Sequence, residues 1–97
     1  MTKPEFKWVP SEACNPPHRV SRPEQVEQLR ESISSKGWNG HYLVGYQLNN
    51  RIQLLSGTHR HAAAAKVPVV VWPESTIRES WGDLKKWNYI MHYGDRE

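Results

Sequence analysis

Between Ser56 and Arg60 five consecutive positions carry a hydroxyl, a glycine, a second hydroxyl, an imidazole and a guanidinium: Ser56-Gly57-Thr58-His59-Arg60. Ile52 to Leu55 before them reads as a strand. His59 to Lys66 after them, rich in alanine, reads as a short helix of high intrinsic propensity. A strand that stops at a glycine and passes into a helix leaves the first amide N–H groups unpaired, where the helix dipole also favours negative charge. Gly57 lets a ligand or another backbone come close, Thr58 can cap the helix or donate its hydroxyl, and Arg60 can offer a bidentate fork to phosphate oxygens. His59 adds a donor, or an acid or base that titrates near neutral pH. The plain alternative is a capped helix start with a solvated face. The accumulation of these groups at the carboxyl end of a strand, where open sheets place ligands, favours an anion site instead.

Two other groups of side chains could join it. The proline-rich stretch from Ser11 to Pro23 contains Asn15, His18, Arg19 and Arg22. It cannot be regular helix or central strand, so it reads as an ordered surface excursion, a common carrier of functional side chains. Glu24 and Glu27, in the segment that follows, are carboxylates that could act as a base or hold Mg²⁺, although with Glu31 they also suit the wet face of a helix. His59 and Glu24 are therefore the candidate catalytic groups. No acidic pair has the spacing of a metal centre.

The elements that must position these groups follow from periodicity. Phe6 to Val9 alternates and is closed by Pro10, a short first strand suited to a sheet edge. Val26, Leu29 and Ile33 predict an amphipathic helix over Glu24–Lys36, ended by Gly37. Trp38 to His41 reads as a turn, and Tyr42 to Leu48 with Ile52 to Leu55 as a hairpin through Asn49-Asn50-Arg51. Val67 to Trp72 is apolar on both faces, the pattern of a buried strand, and a helix between two strands predicts a βαβ crossover. Trp81, Leu84, Trp87, Ile90 and Met91 predict a last helix over about residues 76–92, packed on the core. The fold class is α+β, one domain over residues 1–97 with a small mixed sheet and about three helices.

A chain of 97 residues supports one hydrophobic core, and five Trp supply much of its apolar bulk. The net charge of +3 suits a polyanionic partner without requiring one. No stretch approaches the roughly 20 apolar residues of a membrane helix, and Met1 to Glu5 lacks the apolar core of a signal peptide. The lone cysteine, Cys14, cannot form an internal disulfide and reads as a buried, inert thiol. These features predict a cytoplasmic protein.

The order of elements, with Leu54-Leu55-Ser56-Gly57-Thr58-His59-Arg60-His61-Ala62-Ala63-Ala64 followed by Val67-Pro68-Val69-Val70-Val71, resembles the ParB/sulfiredoxin superfamily. Its members place a Gly-x-His-Arg or Gly-x-Arg-Arg turn before an alanine-rich helix and then a strand beginning Val-Pro. Asn15-Pro16-Pro17-His18-Arg19 and the helix ending at Gly37 are similar to the proline-rich loop and following helix of that family. The resemblance covers about the first three quarters of the chain. It implies a compact domain whose turn binds nucleotide phosphates: ATP in sulfiredoxins, ATP or ADP in related kinases, CTP in partition proteins. By position Gly57, Thr58, His59 and Arg60 would hold phosphate, with Ser32 offering a hydroxyl and Arg19 a charge from the loop. Two departures limit the transfer. Thr58 stands where the sulfiredoxin nucleophile is a cysteine, which speaks against sulfinic acid reduction, and Gln25 stands where sulfiredoxins carry a lysine. The expected function is nucleotide or phosphate binding, with phosphotransfer or nucleotide hydrolysis left open. The alternatives are a phage or mobile-element interaction protein, using its aromatic C-terminal region to hold a protein partner, and a ParB-like nuclease or DNA-binding module.

Overall fold

A computed structural model describes residues 3–38 and 40–96. Asn39, in the expected 38–41 turn, lies outside the described residues. The elements run β1 (Glu5–Pro10), a 3-10 turn (Ser11–Ala13), β2 (Cys14–Asn15), α1 (Pro23–Lys36), β3 (Leu43–Leu48), β4 (Arg51–Leu54), α2 (Thr58–Ala63), β5 (Lys66–Trp72), α3 (Glu74–Ser80), α4 (Leu84–Met91) and a 3-10 turn (Tyr93–Arg96).

The five strands form one mixed sheet in the order β1-β5-β3-β4-β2. β1 lies antiparallel to β5 at one edge, as its closing proline foretold, with Pro10 opposite Lys66. β5 runs parallel to β3 with Leu43 opposite Val69, and β3 and β4 form the expected antiparallel hairpin. Its turn places Asn49 at φ 57°, a left-handed conformation that a short polar side chain tolerates. The proline-rich excursion contributes a strand that its composition hid: Cys14 and Asn15 pair in parallel with Ile52 and Gln53.

The expected crossover takes another form. β5 is parallel to β3 and β3 antiparallel to β4, so the chain reverses between β4 and β5. The six residues of α2 span about 9 Å, too short to carry the chain back along a strand of about 20 Å, so the helix caps one end of the sheet. It stops at Ala63 because Ala64 turns extended, at φ −130°, and Lys66 already belongs to β5.

β5 is buried on both faces. Val67, Val69 and Val71 join Val9, Cys14, Leu43, Ile52 and Leu54 on one side, edged by Trp38 and Ala64. Val70 and Trp72 join Val44, Ile77 and Ile90 on the other, beneath α3 and α4. The expected single helix over 76–92 is two helices. Gly82, at φ 82°, breaks it, and the Asp83 carboxylate accepts from the Lys86 N–H at 3.2 Å to start α4 afresh. The break shifts the helical phase, so Ile77 and Ile90 are buried while Trp81 is 78% and Leu84 74% exposed.

Candidate functional site

β4 ends with its ladder prolonged by a side chain. The Leu55 N–H donates to the Val44 carbonyl at 2.7 Å, and the Ser56 hydroxyl accepts from the Val44 N–H at 3.2 Å. Gly57 then adopts φ 82°, ψ 33° and serves as the N-cap of α2, with no capping side chain. A Cβ at this position would lie 2.2 Å from Leu43 Cδ2. Gly57 is thus required by its left-handed backbone and by the core beneath it, a structural reason independent of ligand approach.

Thr58 is the first helical residue rather than the cap. It is 3% exposed, and its Oγ1 is buried without a protein hydrogen-bond partner. The hydroxyl is therefore enclosed, where sequence reasoning expected it at the helix mouth.

His59, Arg60 and His61 diverge, since successive helical residues are rotated by about 100°. His59 Nε2 accepts from the Arg22 backbone N–H at 3.2 Å, with the Ser21 hydroxyl at 3.4 Å, and its ring stands edge-on to His18 at 6.3 Å. Through these contacts His59 fastens the proline-rich loop to α2. His61 Nε2 donates to the Ser11 carbonyl at 2.7 Å, and the Ser11 N–H returns a bond to the Ala65 carbonyl at 2.8 Å. Arg60 turns to a third wall: its guanidinium lies 5.5 Å from the Trp38 ring centroid, and a Cβ on Gly40 would meet its Cζ at 2.8 Å.

The remaining predicted residues surround this hub. Arg19 is exposed in the proline-rich loop, its carbonyl accepting from His18 Nδ1 at 2.8 Å. Glu24 is exposed in the first turn of α1, next in sequence to the N1 proline and two residues beyond Arg22. Ser32 is half-buried farther along α1, and its carbonyl accepts from the Ser35 hydroxyl. α1 is tied to α2 where Arg30 Nη2 donates to the Ala62 carbonyl at 3.4 Å. Sequence reasoning missed Trp38, Gly40, Ser11 and the role of His61. The signal for Trp38 and Gly40 was weak, a tryptophan and two glycines around a helix end. Among the described residues no group of three His, Cys, Asp or Glu side chains is placed to hold a metal ion. Among them, too, no helix is long and apolar enough to cross a membrane.

Cavities of about 460 Å³ beside Trp81, Leu84 and Trp87, and of about 380 Å³ beside Tyr46, Ile77 and Arg78, lie away from α2. The 57–60 turn brings together three segments, the proline-rich loop through His59, the Ser11 turn through His61 and the segment around Trp38 and Gly40 through Arg60.

This architecture is the ParB/sulfiredoxin-like fold. The chain is similar to sulfiredoxin from Arabidopsis thaliana over 78% of its length, at 20% identity and a TM-score of 0.60, and spans 96% of that protein. It is similar over 96% of its length to the C-terminally truncated chromosome-partitioning protein ParB from Caulobacter crescentus complexed with CTP-gamma-S, at 21% identity and a TM-score of 0.62. A free serine kinase in complex with AMP is similar over 84% of the chain, at 17% identity and a TM-score of 0.60. The chain spans 54% of the ParB structure and 34% of the kinase. No family model matches the sequence, and no curated protein matches it. The α+β class and the resemblance read from the sequence both hold at the level of the fold.

Proposed function

We propose that the chain binds a nucleotide through its phosphates at the junction of the proline-rich loop, the first turn of α2 and the segment around Trp38 and Gly40. The observation that carries the proposal is that two proteins of the same fold hold nucleotides, one CTP-gamma-S and the other AMP. Local features agree. The first turn of α2 lacks a capping side chain, the Thr58 hydroxyl is unmatched, and the Arg60 guanidinium is propped on an aromatic ring. Gly57 sets the turn, Arg60 supplies the charge, and His59 holds the loop that carries Arg19. The proposal is one of binding; for phosphotransfer His59 and Glu24 are the candidate bases, and titration with and without Mg²⁺ tests the metal.

Calorimetric titration with CTP, ATP, ADP and AMP, with and without Mg²⁺, tests it. Saturable binding of at least one nucleotide is expected, weakened about tenfold or more by Arg60→Ala, since hydrogen bonds to charged groups contribute roughly 1.5–3 kcal/mol. Absence of binding to all four ends the proposal.

A second reading, a protein partner held by the aromatic region after β5, draws on one observation. Trp81 and Leu84 are 78% and 74% exposed beside Trp87, on the rim of an open cavity. Trp anchors dominate interface energetics. Selection of a helical peptide library against the chain would support this reading if binders depend on Trp81, and would sink it if Trp81→Ser leaves them unaffected.

A further inference from the structure

The turn after α4 reaches back to the segment that seats Arg60. Asp95 stands between two imidazoles, His41 Nδ1 lying 3.3 Å from Oδ1 and His92 Nδ1 3.1 Å from Oδ2. The turn is pressed on the sheet from beneath. The ring of Tyr93 meets Phe6 at 5.6 Å and Trp72 at 5.3 Å between centroids. A Cβ on Gly94 would lie 3.1 Å from Tyr42 Cβ and 3.2 Å from Val70 Cγ2. Glycine at position 94 thus allows the turn to sit directly over Tyr42, with Asp95 beside His41.

His41 follows Gly40 in sequence. Gly40, at φ 139°, holds a backbone conformation that disfavours a side chain, and the space its Cβ would fill is occupied by the Arg60 guanidinium. Trp38, on whose ring that guanidinium rests, is two residues further back. A continuous path therefore runs from the Asp95 carboxylate through His41 and the Gly40 backbone to Arg60. We infer that Asp95 and His41 are positioning residues for Arg60: their 3.3 Å side-chain contact braces the lead-in to β3 and so fixes where the guanidinium is presented. The inference rests on the phosphate-binding reading for its functional meaning, and on geometry alone for the brace.

His41 is 73% and Asp95 40% exposed at the side chain, so the brace is a surface interaction. Exposed pairs are screened and weak, and a change of about fivefold or less in nucleotide affinity follows. Neither residue fills the core, so their truncation leaves the hydrophobic packing intact.

The test compares the full chain with Asp95→Ala, His41→Ala and Asp95→Asn by side-chain NMR and by titration with CTP, ATP, ADP and AMP. In the wild type the Arg60 side-chain protons feel the ring current of Trp38. Both alanine variants are expected to move the Arg60 and Trp38 indole resonances in the same direction and to weaken nucleotide binding about twofold to fivefold. Asp95→Asn keeps a side-chain oxygen of the same reach beside His41 and should stay closer to wild type than Asp95→Ala in both readouts, which a general loss of stability would not reproduce. Unchanged Arg60 and Trp38 resonances in the two alanine variants overturn the inference. Moved resonances in a chain that binds none of CTP, ATP, ADP and AMP uphold the brace and remove the phosphate-binding reading. Should Asp95→Ala fail to give a dispersed spectrum, His41→Ala, at the more exposed end of the link, decides alone.

Discussion

The guanidinium of Arg60 lies over the ring of Trp38, 5.5 Å from its centroid, while Trp38 itself packs edge-on against Trp8 at 6.2 Å. A flexible cationic side chain is thereby given a fixed platform, which lowers the entropy lost when it grips an anion. Trp38→Ala should weaken nucleotide binding about threefold to tenfold, within the range a cation–π contact supplies. Trp8→Ala, which removes the second ring but leaves the platform, should lower stability without a comparable loss of affinity. Calorimetric titration beside urea unfolding separates the two effects, and equal losses of affinity in both variants would refute the platform.

Thr58 gives a prediction in which stability and binding part company. Its buried hydroxyl bonds to no protein atom, and such a group costs roughly 1–3 kcal/mol. Replacing it by the isosteric Val removes the unmet polar atom. Thr58→Val should therefore unfold at the same or a higher urea concentration than wild type. If the hydroxyl meets a ligand oxygen, the same variant loses nucleotide affinity. A variant that is less stable and binds normally would show that the hydroxyl serves the fold.

Gly57 and Leu43 should be coupled. Gly57→Ala forces a side chain into a left-handed conformation at φ 82° and drives its Cβ to 2.2 Å from Leu43 Cδ2. The expected destabilisation is about 2–4 kcal/mol, from backbone strain and overpacking together. Leu43→Ala alone leaves a cavity and costs about 2–5 kcal/mol. The double variant should lose less than the sum of the two, because the new methyl enters space the leucine vacated. Strict additivity in urea denaturation would mean that strain at Gly57, and not contact with Leu43, excludes other residues.

Cys14 sets a pH dependence of stability. Burial raises its thiol above the ordinary value of 9.0, and the nearby Arg51 charge opposes this without reversing it. The folded chain therefore holds the thiol proton more tightly than the unfolded chain. The associated stability is intact below pH 9.0 and is lost as pH rises through the higher folded value. Cys14→Ala should flatten the decline in unfolding free energy above that pH, and the native thiol should react slowly with iodoacetamide at about pH 8–9. Alkylation at the rate of the unfolded chain would contradict the burial.

Several elements were legible in the sequence because they rest on local rules. The spacing of Val26, Leu29 and Ile33 with Gly37 behind them gave α1 almost to the residue, and Pro10 marked β1 as an edge. The run Val67 to Trp72 announced a strand buried on both sides, and it occupies an interior place in the sheet. The break between α3 and α4 falls at Gly82-Asp83, where a left-handed glycine and a capping carboxylate interrupt an apolar periodicity that otherwise runs on.

Local chemistry alone determined that Ser56 to Arg60 would be a strand-to-helix turn opened by a glycine, because turn conformation and helix propensity are properties of neighbouring residues. Only the tertiary structure decided where the side chains of that turn would go. Thr58 was drawn into the interior, His59 to the proline-rich loop, and Arg60 to a tryptophan some twenty positions earlier, about one-fifth of the chain away. The physical reason is that a partner's identity depends on which segments the sheet order brings together, and hydrogen bonds and ring contacts between distant residues leave no periodic trace in the sequence.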